Sequence, residues 1–171
     1  VITVMAVAAF PASILGGANL HRVGFLPLIG GGFLGATVGT ALLVAGDSAE
    51  GLALELLALV VLGLSAGSVM SVSSIAIIGA APAHRSGMAA GVEEVSYEFG
   101  TLLTVAVTGS LLPLWFERGF PQGMEALYDA APNPAAVAAY TDAYHSVLCL
   151  LAAAALVFSA ATWWCFRDNP K

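Results

Sequence analysis

Charge is the scarcest commodity in this sequence. Among 171 residues there are 5 Lys plus Arg and 11 Asp plus Glu, so charged residues make up 9% of the chain, against about 25% in an average soluble domain. Hydrophobic residues make up 59%, and the mean hydropathy is +0.92. A water-soluble globule of this length cannot hide so much apolar surface. That excludes a soluble enzyme, and a disordered chain is excluded by the same composition. The formal net charge is −6 and there is no Lys/Arg cluster, so a nucleic-acid binder, which needs a basic face, is excluded as well. Cysteine is nearly absent. Cys149 and Cys165 stand 16 residues apart in one apolar segment, about 24 Å along a helix, too far for a disulfide that needs Cα atoms within about 7 Å. No CxxC, HExxH or Ser/His/Asp pattern occurs, and no metal or organic cofactor is expected. The chain begins inside an apolar run at Val1 without a basic n-region or an A-x-A site, so a signal peptide is not expected and a piece of a longer protein is.

What is present is length in apolar runs. Five stretches, at about 1–20, 25–45, 52–80, 87–114 and 143–166, are each about 20 residues or longer, enough for a helix to cross a hydrocarbon core of about 30 Å. Continuous rather than alternating hydrophobicity predicts helices and not barrel strands. The expected fold is therefore all-α and integral to the membrane, one domain over 1–171, with a polar loop at 115–142. Arg22 and Arg85 mark the first and third connections, and Arg167 and Lys171 mark the tail. Alternation puts all four on one side, which the positive-inside rule makes cytoplasmic. The 115–142 loop, with four acids and Arg118, and the Asp47/Glu50 connection then face outward. Trp115, Phe116, Trp163 and Trp164 suit interfacial aromatic belts. Gly31, Gly35 and Gly39 form overlapping GxxxG pairs, which predicts close helix packing rather than a phosphate cradle, since no Lys-Ser/Thr follows.

The fourth run carries three acids: Gly91-Val-Glu93-Glu94-Val-Ser-Tyr97-Glu98-Phe-Gly-Thr101. On the insertion scale each costs about 2.5–3.5 kcal/mol at a helix centre, up to about 10 together, while the large apolar residues of this run return about 4. These acids must therefore face a bundle interior, water or a partner, and intramembrane acids are functional candidates by default. Glu94 and Glu98 are i,i+4 and share a face with Gly87, Gly91, Thr101, Val105 and Thr108. Glu93 is rotated about 100° away and stacks with Tyr97 and Gly100. Glu98 lies 11 residues past Gly87, about 16 Å into the helix and close to mid-membrane. Glu93 and Glu94 can also be read as wet residues near the cytoplasmic end, beside Arg85. A carboxyl in a small-residue cleft can load and release a proton, and an anionic one suits a lipophilic cation. His21 and His84 are read as loop residues, Glu55 and His145 as helix-end residues.

The stretch Pro82–Gly100 followed by Val105-Ala-Val-Thr-Gly109-Ser110 resembles the penultimate helix of fourteen-helix drug:proton antiporters of the major facilitator superfamily. It is closest to the branch exporting quaternary ammonium compounds, of the QacA and SmvA type. In that branch this helix carries a Glu-Glu pair and a further acid four residues on, and Glu93, Glu94 and Glu98 match position by position. Pro11–Gly24 resembles a motif-A-like helix end, although the family's acid is absent there and Asn19 is nearby. The resemblance implies proton-coupled efflux of lipophilic or quaternary ammonium cations, with the proton gradient as energy source. Glu94, Glu98 and Glu93 would bind proton and substrate, and Tyr97, Gly91 and Thr101 would support them. It further implies that the five helices are numbers ten to fourteen, part of a C-terminal bundle in the inner membrane, lacking the N-terminal half and unable to transport alone. The alternative is a membrane interaction module or truncated remnant that moves nothing. A channel, or an intramembrane enzyme, remains a third reading.

Overall fold

A computed structural model describes residues 2–48, 51–120 and 133–166. The chain is an all-α membrane protein. Its helices are α1 (Ile2–Val23), α2 (Phe25–Ser48), α3 (Leu52–Ala80), α4 (Ser86–Gly119) and α5 (Pro134–Phe166), with a 3-10 turn at Ala83–Arg85, and no strand occurs among the described residues. All five helices are long and apolar enough to cross a membrane. Val7, Phe10, Leu52, Val95, Phe99 and Trp164 are exposed, an arrangement that an apolar surrounding permits and water penalises. Two compact units are present: Val1–Glu94 with Leu151–Lys171, and Val95–Leu150.

In the first unit α3 is flanked by α1 and α2, and glycines set both contacts. The buried stripe of α1 is Ala8, Ala12, Gly16 and Leu20, one residue per turn. A Cβ on Gly63 would strike the Met5 carbonyl oxygen and come within 2.9 Å of the Ala8 methyl, and one on Gly67 would strike the Ala9 carbonyl oxygen. Gly17 approaches Ser71 and Ile75 further along, so α1 and α3 run parallel. On the other side Gly32 and Gly35 meet Val69 and Ser65, and Gly39 meets Leu62, so α2 and α3 run antiparallel. The small-residue packing expected of α2 is thus present on Gly32, Gly35 and Gly39, while a Cβ at Gly31 would meet nothing within 4 Å. The later part of α5 packs antiparallel on α2: Ser159 donates to the Gly30 carbonyl at 3.1 Å, Phe33 stacks on Phe158 at 5.7 Å, and Trp163 closes over Gly30.

The turn between α1 and α2 is a single residue. Gly24 has φ 85°, and its N–H donates to the Leu20 carbonyl at 2.8 Å, the left-handed helix stop that glycine adopts without a Cβ penalty. Gly24→Ala should therefore cost about 1 kcal/mol, read as a lower midpoint in thermal unfolding of the detergent-solubilised chain. An unchanged midpoint would mean that the turn relaxes. Ala81 before Pro82 is extended (ψ 141°), as a residue preceding proline prefers, and this ends α3.

The second unit contains an antiparallel pairing of the end of α4 with the start of α5. Phe116, Phe120, Ala136 and Ala143 form its core, and Phe116 lies 6.4 Å from Tyr140, edge-on. Both helices enter the stretch expected to be the 115–142 loop. α4 continues through Gly119, and α5 begins at Pro134. The start has a physical cause: Asn133 caps it by accepting the Ala135 N–H at 3.0 Å, and Pro134 occupies the first helical position, where a missing N–H costs nothing. Phe116, expected in an interfacial belt, is instead fully buried in this pairing, because the helix that carries it has a partner at that level. The remainder of the expected loop, 121–132, lies outside the described residues, as do Glu50, Arg167 and Lys171.

Candidate functional site

The 34 residues of α4 extend over about 51 Å, roughly 20 Å more than a hydrocarbon core. The helix therefore has room to start and finish outside lipid. Glu98 is its thirteenth residue, about 18 Å from the start and about 7 Å from the helix midpoint. Glu94 is one turn nearer the Arg85 end.

The backbone is helical without interruption from Ser86 to Gly119, and that register places Glu94, Glu98 and Thr101 on one face. Glu94, Glu98 and Thr101 are exposed and Glu93 is half-buried. A Cβ at Gly87 or Gly91 would meet nothing within 4 Å, so the space expected below Glu94 is open. Tyr97 is 43% exposed and lies on the Glu93 side of the helix. Arg22 closes α1, and Arg85 closes the 3-10 turn before α4. Both stand at the same end of the first unit, because α1 and α3 are parallel.

The hydroxyls of α4 add something the sequence did not announce. Thr101 donates to the Tyr97 carbonyl (3.0 Å), Thr104 to Gly100 (2.8 Å), Thr108 to Thr104 (2.8 Å) and Ser110 to Ala106 (2.7 Å). Each proton is directed back into the helix, as Ser and Thr do when no other acceptor is near. What these side chains present outward is oxygen lone pairs. Thr101 and Thr108 share the Glu94–Glu98 face, while Thr104 and Ser110 stand off it; that face thus carries two carboxylates and two hydroxyl oxygens whose protons are turned back into the helix. It suits a cation and offers little to an anion. Among the described residues, no group of three or more His, Cys, Asp or Glu is arranged to hold a metal ion.

A stretch of 67 residues is 40% identical to the methyl viologen resistance protein SmvA in two strains of Salmonella typhimurium. It accounts for 38% of this chain and only 14% of the length of each relative. No family model matches the chain, and no solved structure matches it.

Proposed function

We propose that this chain is part of a proton-coupled exporter of lipophilic or quaternary ammonium cations. It would supply the wall of the transport cavity that carries Glu94 and Glu98. The observation that supports the reading is the Glu94–Glu98–Thr101 face of α4, a helix long and apolar enough to cross a membrane. An ionised carboxylate in hydrocarbon is costly, and either a proton or a cation neutralises it. The two ligands therefore compete for the same oxygens, and an exchanger needs no other device to couple them. Loading a proton from outside displaces the cation, and losing that proton inside readies the face for the next. Methyl viologen, named in the matched relatives, carries two positive charges and no N–H donor, which suits paired carboxylates better than a hydrogen-bonding site.

On this reading the proton gradient is the energy source and no cofactor takes part. The fold is of the major facilitator type, and other helices, including an N-terminal half, complete the cavity, since transporters hold substrate between repeats near the midplane. Arg22 and Arg85 then face the cytoplasm, and the carboxyl terminus lies on that side of the inner membrane. Partners are the bilayer, small organic cations and the rest of the transporter, and no nucleic acid.

The test is made on the complete protein in proteoliposomes with an acidic lumen. Adding methyl viologen or ethidium outside should release luminal protons at a rate that saturates with cation concentration. Cation flux without saturation would indicate a channel, and absence of any cation-dependent proton movement would refute the exchanger. The 171-residue chain alone should give no saturable flux.

A further inference from the structure

The ends of α1 and α3 and the start of α2 enclose a groove that the proposed transport does not use. It holds about 790 Å³, and its walls include His21, Arg22, Phe25, Ile75, Ala76 and Gly79. All of these belong to the first unit.

Its two halves differ in chemistry. One rim carries the exposed side chains of His21 and Arg22, and the 3-10 turn that follows α3 places His84 and Arg85 at the same end of the unit. The sequence has no Asp or Glu from Leu20 to Phe25 or from Ile75 to Gly87. Asp47 and Glu55 stand at the opposite end, where Gly46 packs on Glu55, and Glu93 and Glu94 are two turns or more along α4 from Arg85. The other wall is apolar: Ile75 is 42% exposed, and a Cβ at Gly79 would meet nothing within 4 Å, so the groove runs open over it. The apolar spans of α1 and α3 finish at Val23 and Ala80, so the basic rim follows directly on the apolar stretches that a membrane would hold.

A ligand for this groove needs an anion at one end and an alkyl chain at the other. We propose that it is a specific site for one anionic phospholipid. Its phosphate would lie against Arg22 and His21, and its acyl chain would run over Ile75, Ala76 and Gly79. The volume is of the size that holds a small-molecule ligand, and basic pockets between membrane helices bind acidic lipid headgroups. A zwitterionic lipid brings the same phosphate with a cation attached, which the basic rim repels. The site is independent of the exchanger: a chain that transports nothing could still hold this lipid.

The experiment uses the whole chain in detergent. It is titrated with phosphatidylglycerol, phosphatidylcholine or inorganic phosphate and followed by native mass spectrometry, with circular dichroism to confirm helicity. One phosphatidylglycerol should be retained about tenfold more tightly than phosphatidylcholine. Arg22→Ala should lower that preference about fivefold. Gly79→Leu adds a side chain into open space and leaves every charge in place. It should weaken retention of phosphatidylglycerol by blocking the path of the acyl chain. Arg118→Ala, outside the groove, should leave retention unchanged. Equal retention of the two lipids would overturn the proposal, and so would Gly79→Leu binding like the parent chain. Displacement of the lipid by millimolar inorganic phosphate would make this a free-anion site instead.

Discussion

Glu98→Gln in the complete protein should lower proton-driven export of methyl viologen or ethidium about a hundredfold, with membrane expression unchanged. Glutamine keeps the shape of the side chain but can neither release a proton nor carry a negative charge. A cation 4 Å from a carboxylate gains about 4 kcal/mol at an effective dielectric near 20, and desolvation takes back part of that, which leaves the hundredfold. Glu94→Gln should behave alike, because helical register puts it on the same face one turn away. Glu93→Gln should cost no more than about threefold, since Glu93 is half-buried and rotated about 100° from that face. Glu98→Asp keeps the titratable group and should restore part of the export. The pattern is the test, measured as dye efflux from energised vesicles and compared with western-blot expression. Equal losses at all three positions would point to a general defect of the helix. No loss at Glu94 and Glu98 would remove the carboxylates from the mechanism.

These acids were legible in the sequence because their energetic cost makes them stand out from an apolar run. The five helices were legible for the complementary reason: an uncharged run of 20 residues or more has few other ways to satisfy its backbone in lipid. Faces and ends were harder to read. α2 is apolar all round, and a helix without a polar side gives no periodic signal of which side packs. The Gly31–Gly35 pair therefore looked as good as the Gly32, Gly35 and Gly39 set that meets α3. Gly63 and Gly67 form a GxxxG of their own, but the 29-residue run around them carries no periodic polar face to mark which side packs. Asn133-Pro134 reads as a loop when prolines are counted and as a helix start when the cap is recognised. What surrounds Glu94 and Glu98 was not legible at all, because the elements proposed to face them lie outside this chain.

Gly67→Leu should separate α1 from α3. A Cβ on Gly67 would strike the Ala9 carbonyl oxygen and lie 3.0 Å from the Ala9 Cα. Both are backbone atoms, so no rotamer change can relieve the contact, and the helices must move apart along their length. Apolar burial cannot compensate, because lipid tails solvate a leucine as well as a neighbouring helix does. Association in the membrane rests on close van der Waals contact, which falls off steeply with distance. Overpacking of this kind costs about 1–3 kcal/mol, and Gly63, whose Cβ would strike the Met5 carbonyl oxygen, should respond in the same way. Thermal unfolding in detergent, or the proteolytic release of α1, reads the effect. Gly31→Leu is the control: the same substitution type in the same kind of helix, at a position with nothing within 4 Å, should change stability by no more than about 0.5 kcal/mol. If both variants lose stability equally, leucine itself is at fault. If neither does, α1 is held by something other than its approach to the glycines of α3. A loss at Gly67 and Gly63 alone ties the first unit together through the two residues with the least side chain, and it leaves the acids of α4 to be judged on their chemistry.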